Sequence, residues 1–169
     1  EGEIIPSMIV PEAPFGEYTG YRTALNPRGV ACRVKAITFR NNPILTMDNP
    51  GLPVDSSGVC WSMTTAVANK KLLRQQMVPV TDVHYPPEGA NMMAFVSLKR
   101  MYSNLAMQVH HIIKGGAEWA PKVIVMDDDV NVFDMDEVLH TLGTRCNPER
   151  GIKIIEGESG NALHPFLSP

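Results

Sequence analysis

The sequence predicts a mixed α/β protein made of two parts. Strand-like segments alternate with helix-like segments from about residue 56 onward, which is the pattern of an α/β layer architecture. Before that point the chain contains only strand-like segments and turns. The two parts meet at residues 48–53, where Asp, Asn, Pro and Gly are concentrated in the way that marks a boundary. We therefore assign residues 1–55 to a first domain and residues 56–169 to a second.

Composition narrows the class of protein. The chain has 44% hydrophobic and 20% charged residues, which is typical of a globular protein. A net charge of −3 provides no concentrated basic surface, so we expect no nucleic acid and no membrane as partner. Three widely spaced cysteines form no Cys-x-x-Cys pair, which predicts reduced, mostly buried thiols in a cytoplasmic protein rather than disulfides or a zinc site.

The first domain is predicted to contain three strands. Residues 4–10 are rich in β-branched side chains and are expected to form an edge strand with a bulge or kink at Pro6. Residues 31–40 alternate, with Cys32 and Val34 on one side and Arg33 on the other, which predicts a half-buried strand. Residues 44–47 predict a further short strand. Together these strands are expected to be the closing strands of an antiparallel barrel.

The second domain is predicted to alternate between helices and strands. Helices are expected over residues 59–76, 104–113 and 134–142, and strands over 80–84, 93–97, 123–126 and 152–155. Ser103 is expected to cap the second helix, and Asp134 with Glu137 the third, which Gly143 would end. The apolar stripe of the first helix is expected to comprise Val59, Met63, Ala66, Leu73 and Met77. The apolar run at 123–126 predicts a strand covered on both faces.

Residues 11–21, Pro-Glu-Ala-Pro-Phe-Gly-Glu-Tyr-Thr-Gly-Tyr, carry the strongest functional signal. Glu12 and Glu17 flank a segment that Pro14 keeps out of a helix and Gly16 allows to turn. The same stretch contains three aromatic rings, at Phe15, Tyr18 and Tyr21. Crowding by these rings would disfavour the ionised form of Glu17, which suits a proton donor. A surface turn with two solvated glutamates is the alternative interpretation.

This stretch resembles the signature of the UbiD family, the reversible decarboxylases that use prenylated FMN. The family motif is Glu-Gly-Pro-Phe-Gly-Glu, and Ala13 stands here in place of its glycine. The resemblance continues in collinear order through residues 37–45, 114–116, 123–132 and 144–148. It implies that residues 1–55 are the end of the split β-barrel that binds the cofactor. It also implies that residues 56–169 form most of a Rossmann-like α/β domain through which the family forms homo-oligomers.

The resemblance implies roles for individual residues. Glu17 matches the acid that protonates the reacting carbon after carbon dioxide has left. Glu12 matches the first glutamate of a Glu-Arg-Glu network whose arginine comes from an earlier segment. Lys114 matches a lysine that contacts the cofactor phosphate, and its alternative role is to stabilise the end of a helix. Four further positions are implied to line the substrate pocket: Ser57, Trp61, Ile152 and Ile154. Core packing is the default interpretation for the three apolar ones.

No metal site is predicted in this chain. An EF-hand starting at Asp127 would have Val132 where glycine is required and Val138 where the bidentate glutamate should stand. His110 and His111 are adjacent on a helix, so they point in different directions. The family implies a divalent ion, manganese or magnesium, and potassium, with ligands in an earlier segment.

The implied activity is non-oxidative, reversible decarboxylation of an aromatic or α,β-unsaturated carboxylic acid. The chain begins without an initiator Met in a strand-like segment, so we expect a missing N-terminal portion or a partner subunit. The second hypothesis is therefore a non-catalytic assembly module, or one subunit of a split decarboxylase. A two-carboxylate hydrolase using Glu12 and Glu17 ranks last, since a five-residue spacing in a loop does not establish a cleft.

Overall fold

A computed structural model describes residues 1–12, 14–51, 54–116, 120–157, 160 and 163–164. The chain divides into two compact units, Glu1–Asp55 and Ser56–Pro169. Within the part that the structure describes, none of the helices is long and apolar enough to cross a membrane.

The first unit is built on two antiparallel strands, β1 (Gly2–Glu12) and β2 (Asn26–Val34). Their register shifts where Ile5 pairs with Ala31 but Ile9 pairs with Val30, so Pro6 lies in an irregular stretch of β1. Proline has no N–H to contribute to a strand ladder, which explains why the pairing breaks there. The expected bulge or kink at Pro6 is confirmed.

The remaining strands expected in the first unit are not present in its described residues. Residues 35–50 form no strand, so the strand predicted over 31–40 is truncated at Val34 and the one over 44–47 is wrong. Five large apolar side chains of this stretch are 77% to 82% exposed: Ile37, Phe39, Ile44, Leu45 and Met47. A strand needs a neighbour for its N–H and C=O groups, and the described part of this unit supplies only β1 and β2. The described residues therefore form a two-stranded sheet rather than a barrel.

The second unit contains a three-stranded sheet with the order β3 (Val80–His84), β4 (Met93–Leu98) and β5 (Lys122–Asp127). β3 pairs antiparallel with β4, and a short 3₁₀ turn (Pro87–Gly89) lies between them in the chain. β4 pairs in parallel with β5, and helix α2 (Leu105–Gly115) lies between those two strands in the chain, as a parallel crossover requires. The mixed α/β class and these three predicted strands are confirmed.

Helix α1 (Ser56–Gln75) is present as predicted, but its buried side differs from the predicted stripe. Its buried residues are Ser62, Thr65, Asn69 and Leu73, whereas Val59, Met63 and Met77 are 41% to 88% exposed. The Ser62 hydroxyl donates to the Tyr85 carbonyl and the Asn69 amide to the Tyr85 hydroxyl. Of the predicted stripe, Leu73 is buried and Ala66 packs against the core. Hydrogen bonds to Tyr85, the residue after β3, hold Ser62 and Asn69 of this face inward.

The ends of the other helices test the predicted capping residues. Asn104, not Ser103, precedes α2 and makes no capping bond, so that prediction is wrong. Helix α3 (Met135–Arg145) is capped by Asp134 as predicted, because the Asp134 carboxylate accepts the N–H groups of Asp136 and Glu137. The expected part of Glu137 in this cap is wrong, since its carboxylate accepts the Asn131 N–H instead.

Gly143 does not end α3, which continues to Arg145, so the predicted stop is wrong. A glycine inside a helix costs only about 1 kcal/mol relative to alanine. Arg145 adds an ion pair to Asp129, in which its Nη1 donates to both carboxylate oxygens over 2.9 Å. A four-residue helix α4 (Pro148–Gly151) follows. The strand predicted over 152–155 is also wrong, because residues 152–156 have no regular secondary structure.

The core of the second unit lies on both faces of its sheet. Buried apolar side chains form two hydrophobic clusters. Val123 and Val125 of β5 pack against the first cluster, and Ile124 and Met126 of the same strand belong with the second. The first cluster includes Leu73, Val83, Tyr85, Val96, Val109 and Ile113, and the second Phe95, Val130, Val132 and Val138. The prediction that residues 123–126 form a strand covered on both faces is confirmed.

The cysteines are free thiols, as expected, but the expectation that they are mostly buried is wrong. Cys32 and Cys60 are exposed, and Cys146 is half-buried. Cys32 lies on β2, whose predicted inner side has no cover from the described residues of the first unit.

Candidate active site

Residues 15–23, which we name the glutamate loop, form a tight hairpin-like structure. At its base the Phe15 N–H donates to the Thr23 hydroxyl oxygen over 3.0 Å, and the Thr23 N–H donates to the Phe15 carbonyl over 2.9 Å. Gly16 and Arg22 form the next pair, an antiparallel bridge. The threonine hydroxyl thus closes a loop that the sequence analysis recognised only by its Pro-Phe-Gly segment.

Glu17 occupies the last pair before the turn of the glutamate loop. Its N–H donates to the Tyr21 carbonyl over 2.8 Å, and its own carbonyl accepts the Gly20 N–H over 2.9 Å. Gly20 has a φ of 80°, which a glycine adopts without the strain that a side chain brings. Both backbone groups of Glu17 are therefore bonded, and the direction in which its side chain leaves the loop is well defined.

The Glu17 side chain is half-buried. One of its carboxylate oxygens, Oε2, accepts the Tyr18 N–H over 3.3 Å. Burial, and after it the negative charge of Glu17, raises the pKa of the Tyr18 phenol above its ordinary value. Tyr18 therefore keeps its proton throughout the neutral range and remains a neutral neighbour of the glutamate.

The aromatic crowding expected around Glu17 is only partly present. Phe15 is 46% exposed and Tyr21 is 65% exposed, whereas Tyr18 is half-buried. Only one of the three rings is therefore largely withdrawn from water. The other two present accessible apolar surface on the same loop.

Glu12 lies at the end of β1 and is exposed. Its Oε2 accepts a 3.2 Å hydrogen bond from the side-chain amide of Asn26, its partner across the strand pair. This neutral partner orients the carboxylate without adding a charge. Sequence reasoning missed Asn26, because the pairing of residues 14 apart depends on strand register.

Sequence reasoning also missed Gly51 as a site residue, because it placed Gly51 only in the boundary at residues 48–53. Its φ is +120°, and a Cβ atom there would lie 3.1 Å from the Glu17 carbonyl oxygen and 3.6 Å from the Gly20 Cα. The Gly51 N–H donates to Oδ2 of Asp55 over 3.1 Å. The stretch before α1 therefore packs directly on the turn that carries Glu17.

Lys114 lies half-buried in the last turn of α2. The helix ends at Gly115, and the N–H of the next residue, Gly116, reaches the carbonyls of Ile112 and Ile113 at 3.2 Å each. The predicted end of this helix is confirmed. A lysine here is favourable beside the negative end of the helix dipole, and its ammonium group is also chemically suited to a phosphate.

The four predicted pocket residues differ in burial. Ser57 and Trp61 lie four positions apart in α1, where helix geometry places them on one side. Ser57 is exposed and Trp61 is half-buried. Ile152 and Ile154 are 54% and 86% exposed, so core packing, their default interpretation, is wrong for these two.

One cavity of about 450 Å³ lies along the second half of α1, away from these residues. It is lined by Val67, Lys70, Lys71, Arg74 and Gln75. Lys70 is paired with Asp82 over 2.6 Å, so part of this basic surface is already neutralised. None of the predicted site residues lines it.

The acidic residues after β5 have structural partners. Asp129 is held by Arg145, and Asp134 caps α3. Across the described ranges, no three His, Cys, Asp or Glu side chains are grouped so that they could hold a metal ion.

The hairpin with the half-buried Glu17 lies between the two strands of the first unit in the chain, and a mixed α/β unit follows it in sequence. The chain belongs to the UbiD family. The family model of the 3-octaprenyl-4-hydroxybenzoate carboxy-lyase Rift-related domain matches residues 1–53, and that of its C-terminal domain matches residues 58–169. The resemblance inferred from the motif of Glu12 and Glu17 is confirmed.

Solved structures agree with this assignment. Vanillic acid decarboxylase of Sedimentibacter hydroxybenzoicus, in open form, is 28% identical, with a TM-score of 0.88 over 98% of this chain and 36% of that one. The UbiD-class enzyme HmfF of Pelotomaculum thermopropionicum, in complex with FMN, is 28% identical, with a TM-score of 0.83 over 98% of this chain and 37% of that one. An evolved dimeric form of HmfF with prFMN is 28% identical, with a TM-score of 0.77 over 92% of this chain and 36% of that one. The chain spans little more than a third of the length of these relatives.

Proposed function

We propose that this chain is part of an enzyme that decarboxylates an aromatic or α,β-unsaturated carboxylic acid reversibly and without net oxidation. Membership of a carboxy-lyase family and similarity to a vanillic acid decarboxylase support this activity. The complexes of HmfF with FMN and with prFMN support prenylated FMN as the cofactor. The observation that carries the proposal is the half-buried Glu17, whose N–H and C=O are both bonded within the glutamate loop.

Glu17 is the proposed proton donor. When bound, prenylated FMN supplies an electron sink for the charge that the departing carbon dioxide leaves behind. Glu17 delivers a proton from its carboxyl group to the carbon that lost carbon dioxide, and takes a proton from that carbon in the reverse direction. A positioned acid of this kind contributes about a hundredfold to ten-thousandfold in rate. Tyr18 holds the carboxylate by its N–H, and its phenol, whose pKa is raised further above its ordinary value of 10.0, adds no charge beside it.

Each unit contains side chains whose chemistry suits one part of a flavin. In the second unit, the half-buried Lys114 is a charged donor for a phosphate group. In the first unit, the exposed rings of Phe15 and Tyr21 offer planar apolar surface beside Glu17. Ser57, Trp61, Ile152 and Ile154 are proposed to line the substrate pocket.

The remaining family features are proposed for the complete enzyme. Glu12 is proposed to pair with an arginine from elsewhere in it. The divalent ion, manganese or magnesium, and potassium do not fit the described residues, which contain no cluster of three metal-ligating side chains. Oligomerisation through residues 56–169 is likewise proposed, and one relative is a dimeric form.

The alternative function is an assembly module or one subunit of a split decarboxylase, inactive by itself. It is favoured by the exposed apolar side chains between residues 37 and 47, which the described residues of the first unit leave uncovered. One experiment distinguishes this alternative from a chain that binds the cofactor by itself. The purified chain is mixed with prenylated FMN, and flavin absorbance is measured after gel filtration. Co-elution of flavin supports a cofactor-binding unit, and its absence supports the split enzyme.

The function is tested by Glu17→Gln in the complete, flavin-loaded enzyme. Glutamine keeps the size and the acceptor oxygen but carries no carboxyl proton, so turnover should fall at least about a hundredfold while bound flavin is retained. Glu3→Gln is the matched control, because Glu3 lies on β1 in a surface ion pair of 2.7 Å with Lys35. Full turnover in Glu17→Gln would exclude Glu17 as the proton donor.

A further inference from the structure

We propose that Gly51 is a positioning residue for Glu17, an inference that rests on the function proposed above. Gly51 is distant in sequence from the glutamate loop, yet it packs against the turn that holds the acid. A Cβ atom at Gly51 would lie 3.1 Å from the Glu17 carbonyl oxygen and 3.6 to 3.7 Å from Cα and N of Gly20. These are backbone atoms, which cannot swing aside as the end of a flexible side chain does.

The conformation of Gly51 is itself specific to glycine. Its φ of +120° lies where a residue with a Cβ atom is strained whatever space surrounds it. Asp55 holds Gly51 from the other side, because its Oδ2 accepts the Gly51 N–H over 3.1 Å. Gly51 is thus fixed between the Asp55 carboxylate and the backbone of the glutamate loop.

This packing acts on the atoms that orient the acid. The Glu17 carbonyl faces Gly51 and also accepts the Gly20 N–H over 2.9 Å, the hydrogen bond that closes the turn. A Cβ atom at position 51 would require this carbonyl to shift by a few tenths of an ångström. That shift would tilt the Glu17–Tyr18 peptide plane, which adjoins the Cα atom that carries the Glu17 side chain. A misplacement of about 1 Å can cost roughly a hundredfold in rate when a catalytic group must reach a single carbon.

The test is Gly51→Ala in the complete, flavin-loaded enzyme. We expect kcat to fall about tenfold to a hundredfold with KM and bound flavin unchanged, because the acid is displaced while the binding surfaces remain. The solvent isotope effect on kcat should rise, since proton transfer becomes rate-limiting. Gly143→Ala is the control, because a Cβ atom there meets nothing within 4 Å. An unchanged kcat would overturn the proposal. So would a rise in KM and a loss of bound flavin as large as the fall in kcat.

Two substitutions at Asp55 test the same packing in case the Gly51→Ala variant does not fold. Asp55→Asn keeps an oxygen that can accept the Gly51 N–H and should retain most of the wild-type kcat. Asp55→Ala removes that acceptor and should lower kcat in the same direction as Gly51→Ala. Equal activity of the two Asp55 variants would contradict the proposed role.

Hydrogen exchange separates failure of this inference from failure of the proposed function. The amides of Glu17 and Gly20 are both bonded within the glutamate loop, so their exchange reports the turn directly. Gly51→Ala should accelerate their exchange whether or not the enzyme proves to be a decarboxylase. Unchanged exchange at both amides would refute the packing role even if activity were lost.

Discussion

The side-chain amide of Asn69 donates a hydrogen bond of 2.9 Å to the hydroxyl of Tyr85 inside the second unit. Asn69 is 2% exposed and Tyr85 is fully buried. The same amide also donates to the Thr65 carbonyl one helical turn earlier, over 3.2 Å. This bond joins the middle of α1 to the residue after β3 and thereby fixes the rotation of the helix that carries Ser57 and Trp61.

Tyr85→Phe should destabilise the second unit by about 1 kcal/mol, because Asn69 loses one buried acceptor while the ring still fills its site. Chemical denaturation of the protein measures the change. Tyr102→Phe makes the same substitution at a residue that is 48% exposed and should change the free energy of unfolding by less than about 0.5 kcal/mol. Equal effects of the two changes would show that the Asn69–Tyr85 bond contributes nothing specific.

Lys114→Ala in the complete enzyme should weaken retention of flavin on gel filtration by about tenfold or more, since one charge-assisted hydrogen bond to a phosphate is lost. Lys71→Ala is the control, because Lys71 is an exposed lysine on α1. If both variants retain flavin as the wild type does, Lys114 acts only as a helix-end cation.

Protonation of the His84 imidazole should make the stability of the folded protein depend on pH. Burial lowers the pKa of its imidazole below the ordinary value of 6.5, and the negative charge of Glu88 opposes that shift. Between the folded pKa and pH 6.5 the unfolded chain therefore binds a proton that the folded chain does not. Stability from this group is present above pH 6.5 and is lost as the pH falls toward the folded pKa.

Denaturant midpoints at pH 7.5 and 5.5 measure this effect of His84. The drop between the two should be smaller in His84→Gln than in the wild type, because glutamine does not titrate. The ring of His84 lies 5.1 Å from that of Phe133, so Phe133→Leu serves as a control that alters the contact and leaves the titrating group. An identical drop in wild type and His84→Gln would exclude His84 as the source.

Signals that act within a few residues could be predicted from the sequence. Pro6 interrupts a strand ladder because it lacks an N–H, and Asp134 caps α3 because its carboxylate reaches N–H groups two and three residues ahead. The motif of Glu12 and Glu17 identified the family for the same reason. Each of these features depends on residues that are neighbours in the chain.

Relationships between distant segments were decided by the tertiary structure. Tyr85 bonds to Ser62 and Asn69 and so brings polar residues of α1, as well as Leu73 of the predicted stripe, to the buried face of that helix. Gly51 meets Glu17 across more than thirty intervening residues, and residues 35–50 form no strand because strand hydrogen bonds must be supplied by a neighbouring segment. Composition and spacing along a chain specify local backbone preferences. Partners that are far apart in the chain meet only when it folds, so the tertiary structure alone decides their contacts.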